Sequence, residues 1–198
     1  MPIVRAASMR DLPGAYRVCL LTGDAGRDAS AIYHNPELLG HVFVGPYIVG
    51  QPDLALVVAD DAGIAGYMLA AADTRAFERW AEEEWWPPLR EQYPLTADGS
   101  PESGLTELLY RSPFAGDSVV VAYPSHLHID LLERVRGQGY GRVLIERTLD
   151  ELRRRGSPGV HLDVDITNAN AIAFYRHLGF DEVERSRDDI VMGLRLGA

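Results

Sequence analysis

Alternating polar and apolar residues predict a strand over residues 126 to 132, immediately before a glycine-rich loop. The segment reads His-Leu-His-Ile-Asp-Leu-Leu, so its polar and apolar side chains fall on opposite faces of an extended chain. After the loop the spacing becomes that of an amphipathic helix, which we expect to end at Gly156. The core side of this helix consists of Ile145, Thr148, Leu149 and Leu152.

A second strand and a second helix follow. Residues 160 to 166 alternate apolar with polar side chains, which predicts a strand. In the next helix, Asn168 or Asn170 is placed to cap the first turn, and Gly179 stands where a left-handed C-cap belongs. The order is therefore strand, glycine-rich loop, helix, strand, helix.

Shorter elements complete the predicted fold, a mixed central sheet flanked by helices, of the α/β (α+β) class. With 198 residues, the chain is long enough for one well-buried domain and short for two, so we expect a single domain over residues 1 to 198. The remaining strands are predicted over 3–7, 54–59, 64–71, 183–185 and 190–196, and a helix over 11–21.

An inserted segment, residues 73 to 117, is rich in aromatic and acidic side chains. We expect a helix over residues 74 to 86, which the pair Pro87-Pro88 ends. Its aromatic residues either line an acceptor site or pack in the core, and the sequence leaves both alternatives open. These residues are Trp80, Trp85, Trp86 and Tyr93.

Composition and charge restrict the classes of partner. The formal net charge of −10 argues against nucleic acid and is compatible with a cationic acceptor. No stretch approaches the roughly 20 apolar residues of a membrane span, and the first residues lack signal-peptide features, so we expect a cytoplasmic protein without membrane contact. The single cysteine, Cys19, lies in an apolar run and is expected in the core. We assign no metal site, and the sequence leaves the oligomeric state open.

The loop after the first strand has the composition of an anion site. It reads Arg-Gly-Gln-Gly-Tyr-Gly-Arg over residues 136 to 142, here called the glycine loop. Its three glycines let consecutive N–H groups point at one anion at the start of a helix. The dinucleotide fingerprint G-x-G-x-x-G fails because Arg142 stands where the last glycine belongs, and the phosphate-binding P-loop pattern is absent. The glycine loop does match the pattern R/Q-x-x-G-x-G/A.

That pattern resembles the acyl-CoA loop of the GNAT acetyltransferase superfamily. Residues 170 to 180 are similar to a second signature of this superfamily, N-x-x-A-x-x-F-Y-x-x-L-G-F. The resemblance implies that the strands before and after the first helix splay apart, with the pantetheine arm of acetyl-CoA in the gap and its pyrophosphate on the glycine loop. The implied cofactor residues are Ile129, Leu131, Leu132, Arg136, Gly137, Gln138, Gly139, Tyr140, Gly141, Arg142, Asn168, Asn170 and Tyr175.

The resemblance also implies an activity, the transfer of acetyl from acetyl-CoA to a primary amine of a small molecule or a protein lysine by direct attack. Tyr175 matches the position of the general acid that protonates the departing thiolate, and it lies beside the core stripe of its helix. Polar groups on the strand before the glycine loop are candidates for the general base. The ranking is Asp130 and His128 first, then His126, with Asp163 and Asp165 as runners-up.

Further segments resemble bacterial relatives of the C-terminal acetyltransferase-like domain family of O-GlcNAcases, over nearly the whole chain. They are residues 22–26, 36–40, 44–47, 61–67 and 123–126. The animal domain is regarded as a pseudo-acetyltransferase whose cofactor loop has degenerated. The alternative function is therefore a catalytically silent CoA-sensing or protein-interaction module. Because the glycine loop is intact here, we expect cofactor binding.

Overall fold

Seven strands form one mixed sheet in this computed structural model, which describes residues 1–95, 99–111 and 115–197. The strands are β1 (Ile3–Ala6), β2 (Ala55–Asp60), β3 (Gly63–Ala71), β4 (Ser125–Leu131), β5 (Gly159–Asp165), β6 (Asp181–Arg185) and β7 (Asp189–Arg195). Their order across the sheet is β1-β2-β3-β4-β5-β7-β6. Neighbouring strands are antiparallel except β4 and β5, which are parallel. The predicted mixed sheet is confirmed.

Helices cover both faces of the sheet. They are α1 (Leu12–Thr22), α2 (Leu38–Phe43), α3 (Gly45–Gly50), α4 (Thr74–Trp80), α5 (Trp86–Gln92), α6 (Pro101–Leu108), α7 (Asp117–Ala122), α8 (Tyr140–Arg154) and α9 (Ala169–His177). Helices α8 and α9 pack on one face, and α1 to α4 pack on the other. No helix among the described residues combines the length and the apolar character that crossing a bilayer requires.

Helix α8 follows the predicted pattern closely. All four residues of its predicted core side are buried against the sheet. The helix is followed by Gly156, whose φ of +80° belongs to the left-handed region. Each fully buried leucine or isoleucine side chain contributes about 1.5–3 kcal/mol to folding. This packing fixes where the N-terminus of α8 lies relative to β4.

The inserted segment differs from the prediction at Pro87-Pro88. The two prolines lie in the first turn of α5, where a missing N–H costs no helical hydrogen bond. A π-helical turn, Ala81–Trp85, joins α4 to α5. The prediction that the prolines end a helix is therefore wrong. Residues 96–98 and 112–114 of the insertion lie outside the described part of the chain.

The tryptophans of the insertion pack in the core. Trp86 is 2% exposed. The rings of Trp80 and Trp85 are stacked with centroids 6.4 Å apart, and Trp85 Nε1 donates to the carbonyl of His41 at 2.9 Å. A Cβ on Gly50 would lie 2.4 Å from the Trp80 ring, so α3 needs a glycine at this approach. Of the two alternatives for these tryptophans, their contacts favour core packing over an acceptor wall.

Candidate active site

Strands β4 and β5 separate after a short contact. Within these two fully described strands, the paired residues are Ser125 with Val160 and His126 with His161. On its other side β4 stays paired with β3 from His126 to Leu131. The separation leaves a wedge between residues 127–131 of β4 and residues 162–165 of β5, here called the strand gap.

Backbone groups of β4 face the strand gap at alternate residues. The Leu132 N–H donates to the Ala65 carbonyl at 2.8 Å, on the β3 side, and the Leu132 carbonyl accepts from Val135 at 3.0 Å. Because successive residues of a strand point opposite ways, Ile129 and Leu131 direct their backbone groups toward β5. Leu132, which the resemblance includes among the cofactor residues, therefore has both backbone groups already bonded within the protein.

The glycine loop presents a run of free backbone donors. None of the N–H groups of residues 137 to 142 donates a hydrogen bond to a described residue, and the bond from Val143 to the Gly139 carbonyl, at 3.1 Å, is the first of α8. In the first turn of a helix the N–H groups lack intrahelical acceptors, and the dipole favours negative charge. Such a run suits a pyrophosphate.

Two of the loop glycines have backbone angles that exclude most other residues. Gly137 has a φ of +71° and Gly139 a φ of +86°. A Cβ on either would meet no atom within 4 Å, so the space in front of the loop is open. Gly141 is different, because its Cβ would lie 3.1 Å from Phe174 Cζ. Its role is the close packing of α8 against α9.

The two loop arginines are exposed but have protein partners. Arg136 donates from Nε to the Leu131 carbonyl at 2.6 Å and from Nη2 to the Gly26 carbonyl at 2.8 Å. Arg142 Nη2 lies 2.8 Å from His177 Nε2. Arg136 thereby holds the glycine loop against both β4 and the loop after α1.

Gln138 and Tyr140 direct their side chains to protein carbonyls. Gln138 Nε2 donates to Arg134 at 2.7 Å, and the Tyr140 hydroxyl donates to Pro2 at 3.2 Å. Their groups free for a ligand are therefore the backbone N–H groups.

The residue that caps α9 is Asn168, not the alternative Asn170. Its Oδ1 accepts from the Ala171 N–H at 3.1 Å. A Cβ on Gly26 would lie 3.5 Å from Asn168 Nδ2, so Asn168 borders the same loop that Arg136 contacts. Asn170, in the first turn of α9, is exposed.

The ring of Tyr175 is buried in the core, and its hydroxyl group is not bonded to any described residue. Its side chain is 7% exposed and packs in the cluster under α8. No hydrogen bond to its hydroxyl is found among the described residues, and no buried polar side-chain atom among them lacks a partner, so the hydroxyl reaches solvent. Burial, together with the charge of Asp130, raises the pKa of Tyr175 well above its ordinary value. The hydroxyl is protonated at neutral pH.

Asp130 on β4 accepts a hydrogen bond from a buried tyrosine. The Tyr67 hydroxyl donates to Asp130 Oδ2 at 2.5 Å, whereas the Thr22 hydroxyl donates to the Val18 carbonyl at 2.8 Å. Burial raises the pKa of Asp130 to about 6, against the lowering by the hydroxyl groups of Tyr67 and Thr22 and by Arg136. Asp130 thus changes charge close to neutral pH.

His126 and His128 share one hydroxyl group. The Tyr47 oxygen, on α3, lies 2.8 Å from His126 Nε2 and 2.9 Å from His128 Nε2. The Nδ1 atom of His126 lies 2.7 Å from Thr74 Oγ1. Burial, with the nearby His161, lowers the pKa of His128 to about 4 and that of His126 well below its ordinary value. Both rings are neutral at neutral pH.

Sequence reasoning missed the residues that hold this polar face, namely Tyr47, Tyr67 and Thr74. They lie 52 to 81 residues from these partners. Tyr47 and Tyr67 fall in segments 44–47 and 61–67, but the resemblance implied no role for either side chain. The one available signal was the polar face of β4 itself, because buried polar side chains require hydrogen-bond partners. Among the described residues, no group of His, Cys, Asp and Glu is arranged to hold a metal ion.

Parts of this sequence are similar to a protein family and to known proteins. A family model described as the acetyltransferase (GNAT) family matches residues 118–180. Protein O-GlcNAcase of Rattus norvegicus is 23% identical over 98% of this chain, which spans 22% of that protein's length. The [Ribosomal protein bS18]-alanine N-acetyltransferase of Salmonella typhimurium is 32% identical over 112 residues, covering 55% of this chain and 69% of that protein.

Solved structures agree with these sequence matches. The crystal structure of SsHAT has a TM-score of 0.90 and 36% identity, covering 100% of this chain and 99% of that one. The structure of yncA from Salmonella typhimurium with its cofactor acetyl-CoA has a TM-score of 0.56 and 18% identity, covering 100% of this chain and 95% of that one, and shows the fold alone. On the strength of the sequence matches, the chain belongs to the GNAT acetyltransferase family.

Proposed function

We propose that this protein is an acetyl-CoA-dependent N-acetyltransferase that transfers an acetyl group to a primary amine by direct attack. The observation that carries the proposal is the run of free N–H groups in the glycine loop, next to the unpaired edge of β4. The free N–H groups suit a pyrophosphate, and the unpaired edge of β4 suits an extended arm that contains amide groups. The similarity to the Salmonella typhimurium protein, which is an N-acetyltransferase, supports the same function.

In this proposal acetyl-CoA binds across the strand gap. Ile129 and the N–H of Leu131 bond the pantetheine arm, and the N–H groups of residues 137 to 142 bond the pyrophosphate. Arg136 and Arg142, both exposed, add positive charge in a chain whose net charge is −10. Asn168 uses only Oδ1 for capping, so Nδ2 is left for the ligand. When bound, acetyl-CoA supplies the acetyl group as an activated thioester.

Tyr175 supplies the proton that the departing thiolate needs. Its raised pKa keeps the hydroxyl protonated, and the hydroxyl reaches solvent without a competing partner among the described residues. The ring of Tyr175 remains part of the core, which fixes the position of the hydroxyl.

His128 removes a proton from the acceptor amine, and Asp130 is the second candidate for this role. His128 is neutral above its pKa of about 4, whereas Asp130 is ionised only above about 6. Asp130 also accepts the Tyr67 hydroxyl, which occupies one carboxylate oxygen. The two candidates predict different acid limits for kcat/KM, near pH 4 for His128 and near pH 6 for Asp130.

The surroundings of the strand gap favour a cationic acceptor. Because His126 and His161 are paired in parallel strands, Asp163 lies on the same sheet face, two residues further along β5. The surrounding protein and the charges of Asp189 and Glu184 raise the pKa of Asp163 to about 6. This concentration of carboxylates attracts an ammonium group, as in a protein lysine or a small amine.

Calorimetry and a thiol-release assay test the proposal. Acetyl-CoA is expected to bind, and acetyl-pantetheine, which lacks the pyrophosphate, is expected to bind at least about tenfold more weakly because it leaves the glycine loop empty. Thiol release is then measured with acetyl-CoA against a panel of primary amines and lysine peptides.

Acceptor-dependent release of thiol supports the enzyme. Binding of acetyl-CoA without release for any acceptor overturns it in favour of the catalytically silent CoA-sensing module. Equal affinity for acetyl-CoA and acetyl-pantetheine overturns the assignment of the glycine loop to the pyrophosphate.

A further inference from the structure

We propose that a one-way chain of hydrogen bonds fixes the tautomer of His128. The chain runs from the Pro124 carbonyl through Thr74, His126 and Tyr47 to His128, and is here called the histidine chain. It holds the His128 proton on Nε2, so Nδ1 offers its lone pair to the acceptor amine. The tautomer stands independently of catalysis, and only the use of the lone pair rests on the proposed function. Tyr47 and Thr74 are therefore positioning residues.

Four contacts of ordinary hydrogen-bond length make up the histidine chain. Thr74 Oγ1 lies 2.8 Å from the Pro124 carbonyl oxygen and 2.7 Å from His126 Nδ1. The Tyr47 hydroxyl lies 2.8 Å from His126 Nε2 and 2.9 Å from His128 Nε2. All four distances lie within the range for strong donors and acceptors. Each hydroxyl has one proton, so each can donate to only one of its two neighbours.

The carbonyl at the start fixes the direction. A carbonyl oxygen only accepts, so the Thr74 hydroxyl donates to Pro124 and its oxygen accepts from His126 Nδ1–H. A neutral His126 with its proton on Nδ1 has a lone pair on Nε2, which accepts from the Tyr47 hydroxyl. The Tyr47 oxygen then accepts from the remaining neighbour, His128 Nε2–H. The opposite direction would leave two acceptor oxygens, those of Thr74 and Pro124, in contact without a proton.

The direction persists only while His126 is neutral. A second proton on His126 would turn Nε2 into a donor toward Tyr47 and reverse the far end of the chain. His126 is 8% exposed, and burial together with the nearby His128 and His161 holds its pKa well below the ordinary value. The chain therefore keeps one direction throughout the neutral range.

The far end of the histidine chain is open. Among the described residues, no partner is found for His128 Nδ1, and no buried polar side-chain atom lacks a partner, so Nδ1 is accessible to solvent. A proton taken up at Nδ1 leaves Nε2–H donating to Tyr47 as before. Proton transfer to His128 therefore needs no rearrangement of its neighbours, which is a property of a preorganised base.

Side-chain ¹⁵N NMR of the histidines tests the chain directly. In the wild-type protein, His128 is expected to show the Nε2–H tautomer and His126 the Nδ1–H tautomer. Thr74→Val removes the hydroxyl that fixes the direction while preserving the shape, and Thr74→Ser retains the hydroxyl. Thr74→Val is expected to move His128 toward the Nδ1–H tautomer, although the two residues are not in direct hydrogen-bond contact. Thr74→Ser should leave the His128 signals unchanged.

Kinetics add a second readout. If His128 Nδ1 removes the amine proton, kcat of Thr74→Val falls in proportion to the Nε2–H fraction measured by NMR, by about twofold to tenfold, with acetyl-CoA affinity unchanged. Tyr47→Phe cuts the chain while keeping the ring that stacks on Phe77, and it should leave His128 as a mixture of tautomers. This variant keeps the test valid if the valine variant does not fold.

The outcomes separate the histidine chain from the proposed function. An Nδ1–H tautomer for wild-type His128 overturns the chain, and so does a His128 tautomer that neither Thr74→Val nor Tyr47→Phe changes. A tautomer shift with no change in kcat supports the chain and overturns His128 as the base. In a protein without acetyl transfer, the NMR result alone still decides whether the chain exists.

Discussion

The glycine loop follows β4 and the histidine chain includes two residues of β4, yet the two are built by different means. The glycine loop is one contiguous segment, residues 136 to 142, and the groups it offers are backbone N–H groups. The histidine chain joins side chains from three elements, with partners up to 81 residues apart. One site depends on backbone angles, and the other depends on which proton each side chain carries.

The difference predicts which substitutions each site tolerates. In the glycine loop, Gln138 and Tyr140 turn their side chains to protein carbonyls, so the loop's function depends chiefly on the positive φ angles of Gly137 and Gly139. In the histidine chain the backbone is an ordinary strand or helix, and the loss of one hydroxyl group changes the whole chain. Substitutions with matched controls can therefore separate backbone effects from side-chain effects.

The largest expected effect is the loss of acetyl-CoA binding in Gly139→Asp. The variant adds a Cβ at a φ of +86° and a negative charge in front of the free N–H groups. We expect binding to weaken at least about 100-fold, equivalent to about 2.7 kcal/mol, in calorimetry. Gly156→Asp is the matched control, because Gly156 has a φ of +80°, equally open space and a position after the far end of α8. Equal loss of affinity in both variants would mean that strain, rather than the anion site, is responsible.

Tyr175→Phe should lower kcat by about 100-fold and leave the acetyl-CoA affinity within about twofold, because it removes the proton donor and keeps the ring in the core. Single-turnover kinetics and calorimetry measure the two effects. Tyr110→Phe, which removes an exposed hydroxyl bonded to the Arg90 carbonyl, is the control and should leave kcat unchanged. A comparable loss of affinity in Tyr175→Phe would show that the hydroxyl binds ligand rather than supplying a proton.

The two base candidates should affect stability with opposite pH dependence. The pKa of Asp130 is 3.8 when unfolded and about 6 when folded, so the folded state holds the proton and the free energy of unfolding falls as pH rises through this interval. Asp130→Asn, which still accepts the Tyr67 hydroxyl, is therefore expected to gain stability relative to wild type by about 1 kcal/mol between about pH 5 and pH 8.

His128→Gln is expected to show the reverse trend. The pKa of His128 falls from 6.5 to about 4 on folding, so wild type loses stability as pH falls through that range. The free energy of unfolding of the variant, relative to wild type, should rise by about 2 kcal/mol as the pH falls from about 8 to about 5. Thermal unfolding of both variants at the two pH values provides the measurement. Parallel slopes would contradict the assigned direction of at least one pKa shift.

The smallest effect concerns the close packing of Gly141 against Phe174. Its alanine Cβ would lie 3.1 Å from Phe174 Cζ, whereas a Cβ on Gly104, in α6, would meet no atom within 4 Å. Gly104→Ala should gain about 0.5–1 kcal/mol from helix propensity. Gly141→Ala should be about 1 kcal/mol less stable than that control, because Phe174 must move. The free energy of unfolding of both variants is measured in urea. An equal increase in the two variants would contradict this packing role.

Much of the fold and the glycine loop could be predicted because their determinants are local. The apolar stripe of α8, the alternation of β4 and the cap glycines at 156 and 179 act within a few residues, and all lie where the pattern indicates. Pro87-Pro88 were misinterpreted because a proline at a helix start has the same local sequence as one after a helix end. The resemblance implied Leu132 as a cofactor residue, whereas the availability of its backbone groups depends on the pairing of β4 with β3.

The sequence by itself determined the family, the sheet and the location of the proposed anion site, because the spacing of glycines and the period of hydrophobic residues depend on the backbone nearby. The tertiary structure alone decided which strand edge is free, which asparagine caps α9 and which atom of His128 carries its proton. Those properties depend on register and on hydroxyl groups such as Tyr47, which lies 81 residues from His128 along the chain. No local pattern carries that information, since only folding brings Thr74, His126 and Tyr47 within hydrogen-bond distance.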